Sequence, residues 1–231
     1  MTTGPTFSDR GVSCPMTRPG EHTFYTKCGK RMFDSVATTI GLVALAPLML
    51  VLTILVKLTS RGSVFYRQER VGRGGKIFRI VKFRSMFEDA DKRGPAITSA
   101  GDHRITALGR LLRRFKLDEL PQLWNVLNGE MSLVGPRPEV PRYVESYSPS
   151  QRRVLTVRPG ITDPASIFYR QEEDVLGAQR DPDRYYRDVI LPDKLSMNLG
   201  YLDRISFSYD LLLVLRTTSS IFIPKRITRA Q

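Results

Sequence analysis

The stretch Val36–Leu58, VATTIGLVALAPLMLVLTILVKL, decides how this chain is built. Its only charge is Lys57, and Pro47 stands at its middle. About 20 apolar residues rising ~1.5 Å each match a hydrocarbon core, so the segment is long enough to cross a bilayer. Pro47 argues against a straight crossing, because proline removes a backbone donor and clashes with the preceding turn. The flanks argue the same way. Lys27, Lys30 and Arg31 precede the segment; Lys57, Arg61, Arg67, Arg70 and Arg73 close or follow it. Basic flanks prefer the cytoplasmic side, and here both flanks are basic. A helix that breaks near Pro47, enters the membrane and returns satisfies both ends. A spanning helix with a tolerated kink is the alternative, and composition does not separate the two. A buried soluble helix fits least, since core helices are seldom this long and apolar.

Outside this run the chain is polar and basic. It has 231 residues, 41% of them hydrophobic, and a net charge of +13, enough for one domain with a real core. That charge suits nucleic acid, an anionic membrane surface or phosphorylated substrates. Cys14 and Cys28 fit no zinc or redox spacing and read as inert thiols in a reducing compartment. No secretory signal is expected, because the first apolar run starts too far in. Residues 1–29, rich in Gly, Pro, Ser and Thr, read as a flexible tail. Residues 30–60 then form the membrane helix, and residues 61–231 a region that packs with it as one domain.

The expected fold is α+β, mainly helical with a small β-hairpin. Ser63–Gln68 and Ile77–Phe83 read as two strands, and Gly72, Gly74 and Gly75 supply the turn. These glycines lack the Gly-Lys-Ser/Thr ending of a phosphate loop. Glu88–Asp102 reads as a polar loop after a short helix. In Ile105–Phe115, Leu108, Leu111, Leu112 and Phe115 share one helical face and arginines take the other, as in a helix lying in a membrane interface. A further helix starts near Pro121 and ends at Gly129. Pro136, Pro138, Pro141 and Pro159 punctuate a loop-rich region. Pro182–Ile190 and Tyr209–Phe222 are helical, the last docking on the core or lying in the interface.

The chemistry gathers around Asp118-Glu119. Adjacent carboxylates point in different directions, so they cannot flank a glycosidic bond; they can share a site at a helix start, where the dipole favours anions. On its own the pair reads as a helix cap. Its neighbours add constrained cations: Arg137 between Pro136 and Pro138, Arg158 before Pro159-Gly160, and Lys82 and Arg84 leaving the hairpin. A guanidinium held between prolines is a rigid, forked anion binder. The set suits a magnesium–diphosphate substrate, with carboxylate on metal and cations on phosphate oxygens.

Five motifs now line up: Lys30-Arg31-x-x-Asp34, Lys82-Phe83-Arg84-Ser85-Met86, the block from Leu117 to Leu127 (LDELPQLWNVL), Met131–Pro138 (MSLVGPRP) and Arg158–Thr162 (RPGIT). In this order, over about residues 30–217, the chain resembles the bacterial sugar transferase family. These are monotopic phosphoglycosyl transferases that begin the assembly of exopolysaccharides, O-antigens and glycoproteins. The resemblance implies a re-entrant membrane helix broken at Pro47, and a catalytic part resting on the cytoplasmic face of the bacterial inner membrane. It implies a UDP-sugar and a polyprenol (undecaprenyl) phosphate as substrates, membrane lipid as a partner, and Mg²⁺ as cofactor beside Asp118. It makes Asp118 the nucleophile of a covalent phosphosugar intermediate and Glu119 its dyad partner, to which we assign a supporting role in metal binding or proton handling; Arg137, Lys82, Arg84 and Arg158 remain the expected phosphate binders. A homo-oligomer is compatible with it. Two positions depart from many relatives: Ala46 stands before Pro47 where serine is frequent, and Asp163 follows Thr162 where glycine is frequent.

Two rival readings are a non-catalytic, membrane-anchored basic module and a nucleotide-sugar hydrolase using the same Mg²⁺ site. Nucleic acid is not an expected partner, since the cations surround a dyad and proline turns instead of forming one face with stacking aromatics.

Overall fold

The computed structural model describes residues 24–88, 90, 98 and 101–222. Residues 1–23 of the expected tail, with Cys14, and most of the expected 88–102 loop lie outside the described residues. The tail boundary moves: Tyr25–Gly29 form a π-helical turn that runs straight into helix α1 (Lys30–Thr59). Tyr25 anchors this turn, donating its hydroxyl to Asp210 (2.6 Å) and setting its ring edge-on to Phe207.

Helix α1 carries the long apolar run, and much of it is uncovered. Val36, Ile40, Val43, Leu50 and Val51 are all more than half exposed. Pro47 does not end the helix, which continues through it. Both ends of α1 are fastened to one body. At the start, Lys30 pairs with Asp210 (2.5 Å), and Arg31 donates to the carbonyls of Val126 (2.6 Å) and Leu127 (2.7 Å). Asp34 Oδ1 accepts from the Leu133 amide (3.1 Å). At the far end, Leu52 and Val56 share a core with Phe83 and Leu112.

The hairpin forms as alternation and glycine spacing predict. Strand β1 (Phe65–Val71) pairs antiparallel with β2 (Ile77–Phe83), Phe65 opposite Phe83 and Val71 opposite Ile77. The first strand lies later than expected because pairing runs right up to the turn. There Gly74 and Gly75 take positive φ, where a side chain would strain. Helix α2 (Ala107–Arg114) is capped by the Thr106 hydroxyl, which accepts from the Gly109 amide (2.9 Å). It is amphipathic, with Leu112 fully buried and Leu111 half exposed. Gly109 lets α2 approach the hairpin exit: a Cβ there would sit 1.9 Å from the Ser85 carbonyl oxygen. Helix α3 (Gln122–Leu127) ends at Gly129, as the sequence predicts. Its Asn125 accepts from the Val81 amide (3.0 Å) and donates to the Arg79 carbonyl (2.8 Å), fixing α3 against β2.

A second sheet was not legible. Strands β3 (Ser132–Val134) and β4 (Gly160–Thr162) pair in parallel, Ser132 opposite Gly160 and Val134 opposite Thr162. The pair sets the loop Gly135–Pro138 against Arg158–Gly160 at backbone contact. A Cβ on Gly160 would fall 2.1 Å from the Gly135 nitrogen, so only glycine fits. The remainder is helical: α4 (Pro141–Val144), α5 (Pro164–Phe168), α6 (Glu172–Gly177), α7 (Pro182–Tyr185), α8 (Leu191–Leu202) and α9 (Phe207–Phe222). The helix expected to stop at Ile190 continues into α8. A π-helical turn at Tyr186–Ile190 leads into it, and Pro192 falls in the first turn of α8, where its missing donor is not needed.

Candidate active site

Between α2 and α3 the chain makes a 3₁₀ turn, Leu117–Glu119. Lys116 enters it with φ 56°, and it is the single non-glycine residue of positive φ among the described residues. Such a conformation costs roughly 1–3 kcal/mol and persists where its surroundings impose it. It turns Asp118 and Glu119 inward, and both are buried.

The two carboxylates meet different surroundings. Glu119 is surrounded by donors. Arg137 donates from Nη1 to Oε2 (3.0 Å) and from Nη2 to Oε1, and Lys82 Nζ donates to Oε1 (3.2 Å). Burial pushes the Glu119 carboxyl up, but Arg137, Lys82 and Lys116 together outweigh it and hold it well below the usual range. Asp118 Oδ1 is buried with no hydrogen-bond partner. Burial first, and the Glu119 charge second, push the Asp118 carboxyl up, with Lys82, Lys116 and Arg113 opposing. The Lys82 ammonium is pushed down by burial, only partly offset by Glu119. One carboxylate is therefore spent on its neighbours and the other is held in reserve.

The structure brings together four of the sequence-predicted residues: Asp118, Glu119, Lys82 and Arg137. It does not bring Arg84 or Arg158 to the dyad. Arg84, one residue past β2, instead donates to the Ser60 carbonyl and hydroxyl, both 2.7 Å, at the end of α1. Arg158 lies ahead of β4 and donates to the Gly129 carbonyl (2.9 Å), holding the end of α3. Three residues were missed. Lys116 and Arg113 act on the dyad electrostatically. Arg113 also joins Ser85 (3.1 Å) to Glu173 (2.9 Å). Asp163 is fully buried behind Arg137 and accepts from its amide (2.7 Å). Arginine spacing on α2 is the available signal for Arg113, which the sequence places on the polar face of that helix.

Among the described residues, no three His, Cys, Asp or Glu side chains gather as a metal cage. Mg²⁺ does not require one: it commonly takes one or two carboxylates and fills its shell with substrate phosphates and water. The unpartnered, buried Oδ1 of Asp118 fits that role.

A family model described as bacterial sugar transferase matches residues 25–224. The chain belongs to the bacterial sugar transferase family. Within that family it is 36% identical over 195 residues to the UDP-N-acetylgalactosamine-undecaprenyl-phosphate N-acetylgalactosaminephosphotransferase of Aeromonas hydrophila, covering 83% of this chain and 43% of the relative. It is 34% identical over 211 residues to the exopolysaccharide production protein ExoY of Sinorhizobium fredii, covering 85% and 86%. It is 36% identical over 197 residues to the UDP-glucose:undecaprenyl-phosphate glucose-1-phosphate transferase of Caulobacter vibrioides, covering 83% and 69%. Relatives of this bacterial sugar transferase are thus named for moving sugar phosphates onto undecaprenyl phosphate.

Proposed function

We propose that this chain moves a sugar 1-phosphate from a UDP-sugar to a polyprenol phosphate at the cytoplasmic face of the bacterial inner membrane, in an early step of surface glycoconjugate assembly. The observation that carries the reading is the divided dyad: Glu119 saturated by Arg137 and Lys82, Asp118 beside it with a free oxygen.

In the first half-reaction Asp118 attacks the sugar-bearing phosphorus. The new O–P bond forms as the bridging P–O bond breaks, and UMP leaves with the electron pair. In the second, a phosphate oxygen of the polyprenol phosphate attacks the same phosphorus. The aspartyl O–P bond breaks, and Asp118 regains its carboxylate as polyprenol-diphosphate sugar departs. Attack by one anion on another is electrostatically poor, and Arg137 and Lys82 offset it with preorganised charge. Glu119 holds the Arg137 fork in place until phosphate oxygens compete for it. Asp118 would hold Mg²⁺ together with the substrate phosphates, and the ion supplies further neutralisation of the diphosphate. A covalent intermediate lets a soluble nucleotide sugar and a membrane lipid visit one site in turn.

The fastening of α1 supports the membrane half of the reading. A spanning helix needs its ends about 30 Å apart on opposite faces. Here Arg31 and Asp34 at one end, and Leu52 and Val56 at the other, all hold the same body. With both ends held to the same body, both stay on one side of the membrane in this reading, and the exposed apolar side chains between them supply the surface that meets lipid.

The test is UMP release from a panel of UDP-sugars, including UDP-glucose and UDP-N-acetylgalactosamine, with and without undecaprenyl phosphate. One equivalent of UMP per enzyme without lipid, and turnover with it, is the expected result. No UMP from any sugar removes the transferase reading, and lipid-independent release of free sugar phosphate replaces it with a hydrolase.

A further inference from the structure

Helix α8 buries Leu191, Leu195, Asn198 and Leu202 along one stripe, at the spacing of a core-facing helix. Asn198 breaks an otherwise apolar stripe, and its Oδ1 is buried with no partner. Burying an amide half-satisfied is unfavourable. The other half explains its presence: Nδ2 donates to Asp163 Oδ2 (3.1 Å), and that same oxygen accepts the Arg137 amide (2.7 Å). Asp163 Oδ1 meanwhile accepts from the Ser166 amide and caps α5. A cap needs one oxygen, and serine caps about as well as aspartate. The second oxygen, and the asparagine that orients it, serve the Arg137 backbone.

We propose that Asp163 and Asn198 are positioning residues for Arg137, fixing its backbone so that its guanidinium lands on the dyad; this rests on the transferase reading above. Arg137 is pinned at two points. Its amide is on Asp163, and its fork is on Glu119. When substrate phosphates take the fork from Glu119, the Asp163 bond and the flanking prolines remain to aim it. The residue fixed at the backbone sets where the charge falls, and a small misplacement of such a group is costly.

Two variants separate positioning from folding. Asp163→Ser keeps an oxygen for the α5 cap and loses the one that holds Arg137. Asn198→Leu completes the apolar stripe of α8, and a cavity of about 20 Å³ bordering Asn198, Leu195 and Arg137 helps to accommodate it. Each is measured for the thermal midpoint in detergent and for kcat and KM of UMP release, alone and combined with Arg137→Ala. The expected result is a lowered midpoint, since each variant removes a hydrogen-bond partner from a buried polar group, with kcat lower by ~10-fold and KM for the UDP-sugar within about twofold. In the Arg137→Ala background neither variant should lower kcat further, because the group it positions is gone. Wild-type kcat in Asp163→Ser, or the same loss with and without Arg137, overturns the inference. If Asn198→Leu fails to fold, Asp163→Ser decides alone. A wild-type chain that releases no UMP overturns the transferase reading itself, whereas an active wild type with unaffected variants overturns only this one.

Discussion

Arg137 grips Glu119 with both arms of its guanidinium, Nη1 on Oε2 at 3.0 Å and Nη2 on Oε1. Each neutralises the other in a partly buried site, and the Glu119 charge favours the charged form of the Arg137 guanidinium. On the reading proposed above, the pair is a resting arrangement that phosphate oxygens enter by exchange, since a guanidinium fork fits carboxylate and phosphate alike.

Removing Glu119 should therefore be harmful in a way that substrate can relieve. Glu119→Gln leaves Arg137 and Lys82, both only partly buried, without their counter-charge, a change that costs ~1–3 kcal/mol. The thermal midpoint in detergent should fall, and UDP or pyrophosphate should recover more of it than in wild type. Equal ligand shifts in both proteins would show that the fork does not exchange.

Arg137→Ala should lower kcat for UMP release by ~10²-fold or more, the scale of one lost preorganised donor. Arg137→Lys should restore little, because an ammonium lacks the planar fork. Steady-state kinetics of both variants check this, and two unaffected rates would leave the Gly-Pro-Arg-Pro loop with a structural role only.

Asp118→Asn should stop turnover and abolish the labelled phosphosugar adduct while leaving the fold at least as stable. The folded state lifts the Asp118 carboxyl, so the folded chain binds the proton more tightly than the unfolded one. That favours the fold at low pH, and the advantage is lost as pH rises from the ordinary carboxylate range through the raised value. An amide never ionises, so the variant's midpoint at neutral pH should equal or exceed wild type. Turnover near the wild-type rate would remove Asp118 as nucleophile.

The same shift sets a pH dependence. The single-turnover burst of UMP should grow as pH climbs through an apparent pKa above the usual 3.8 of an aspartate, as Asp118 becomes the carboxylate. Lys82 holds that value down, so Lys82→Met should move the limb to higher pH besides reducing its height. A limb that stays in place assigns it to another group.

Both flanks of α1 should face the cytoplasm. Reporter cysteines at Phe24 and Ser63, both exposed, in a background lacking Cys14 and Cys28, should resist an impermeant maleimide in intact cells and react after permeabilisation. Labelling at position 24 from outside would mean that α1 spans.

The hairpin, α3 and the dyad were legible because their signals are local: alternation, turn glycines, a starting proline, a closing glycine. The errors came where contacts are distant. Lys82 and Arg84 are two apart and would share a face on a continuing strand; Lys82 reaches Glu119, whereas Arg84 is taken by Ser60 at the distant end of α1. Strands β3 and β4 have three residues each, too few for a period, and their pairing depends on two glycines allowing backbone contact. Asp163 was visible as an unusual residue after Thr162, but only the fold places it behind Arg137. Asn198 carried a readable signal, one amide in an apolar helical stripe.

Helix α1 is as much a wall of the catalytic core as an anchor. Leu52 and Val56 close the cluster beneath Phe83 and Leu112, and Asp34 holds the amide of Leu133 in β3. Cutting the chain after Thr59 would not liberate a water-soluble enzyme. It would expose the underside of the hairpin and α2 and unfasten the strand that leads to Arg137. On this arrangement truncation removes part of the core along with the apolar surface, and repainting the outward residues of α1 while its inward ones stay is the change expected to raise solubility and keep the fold.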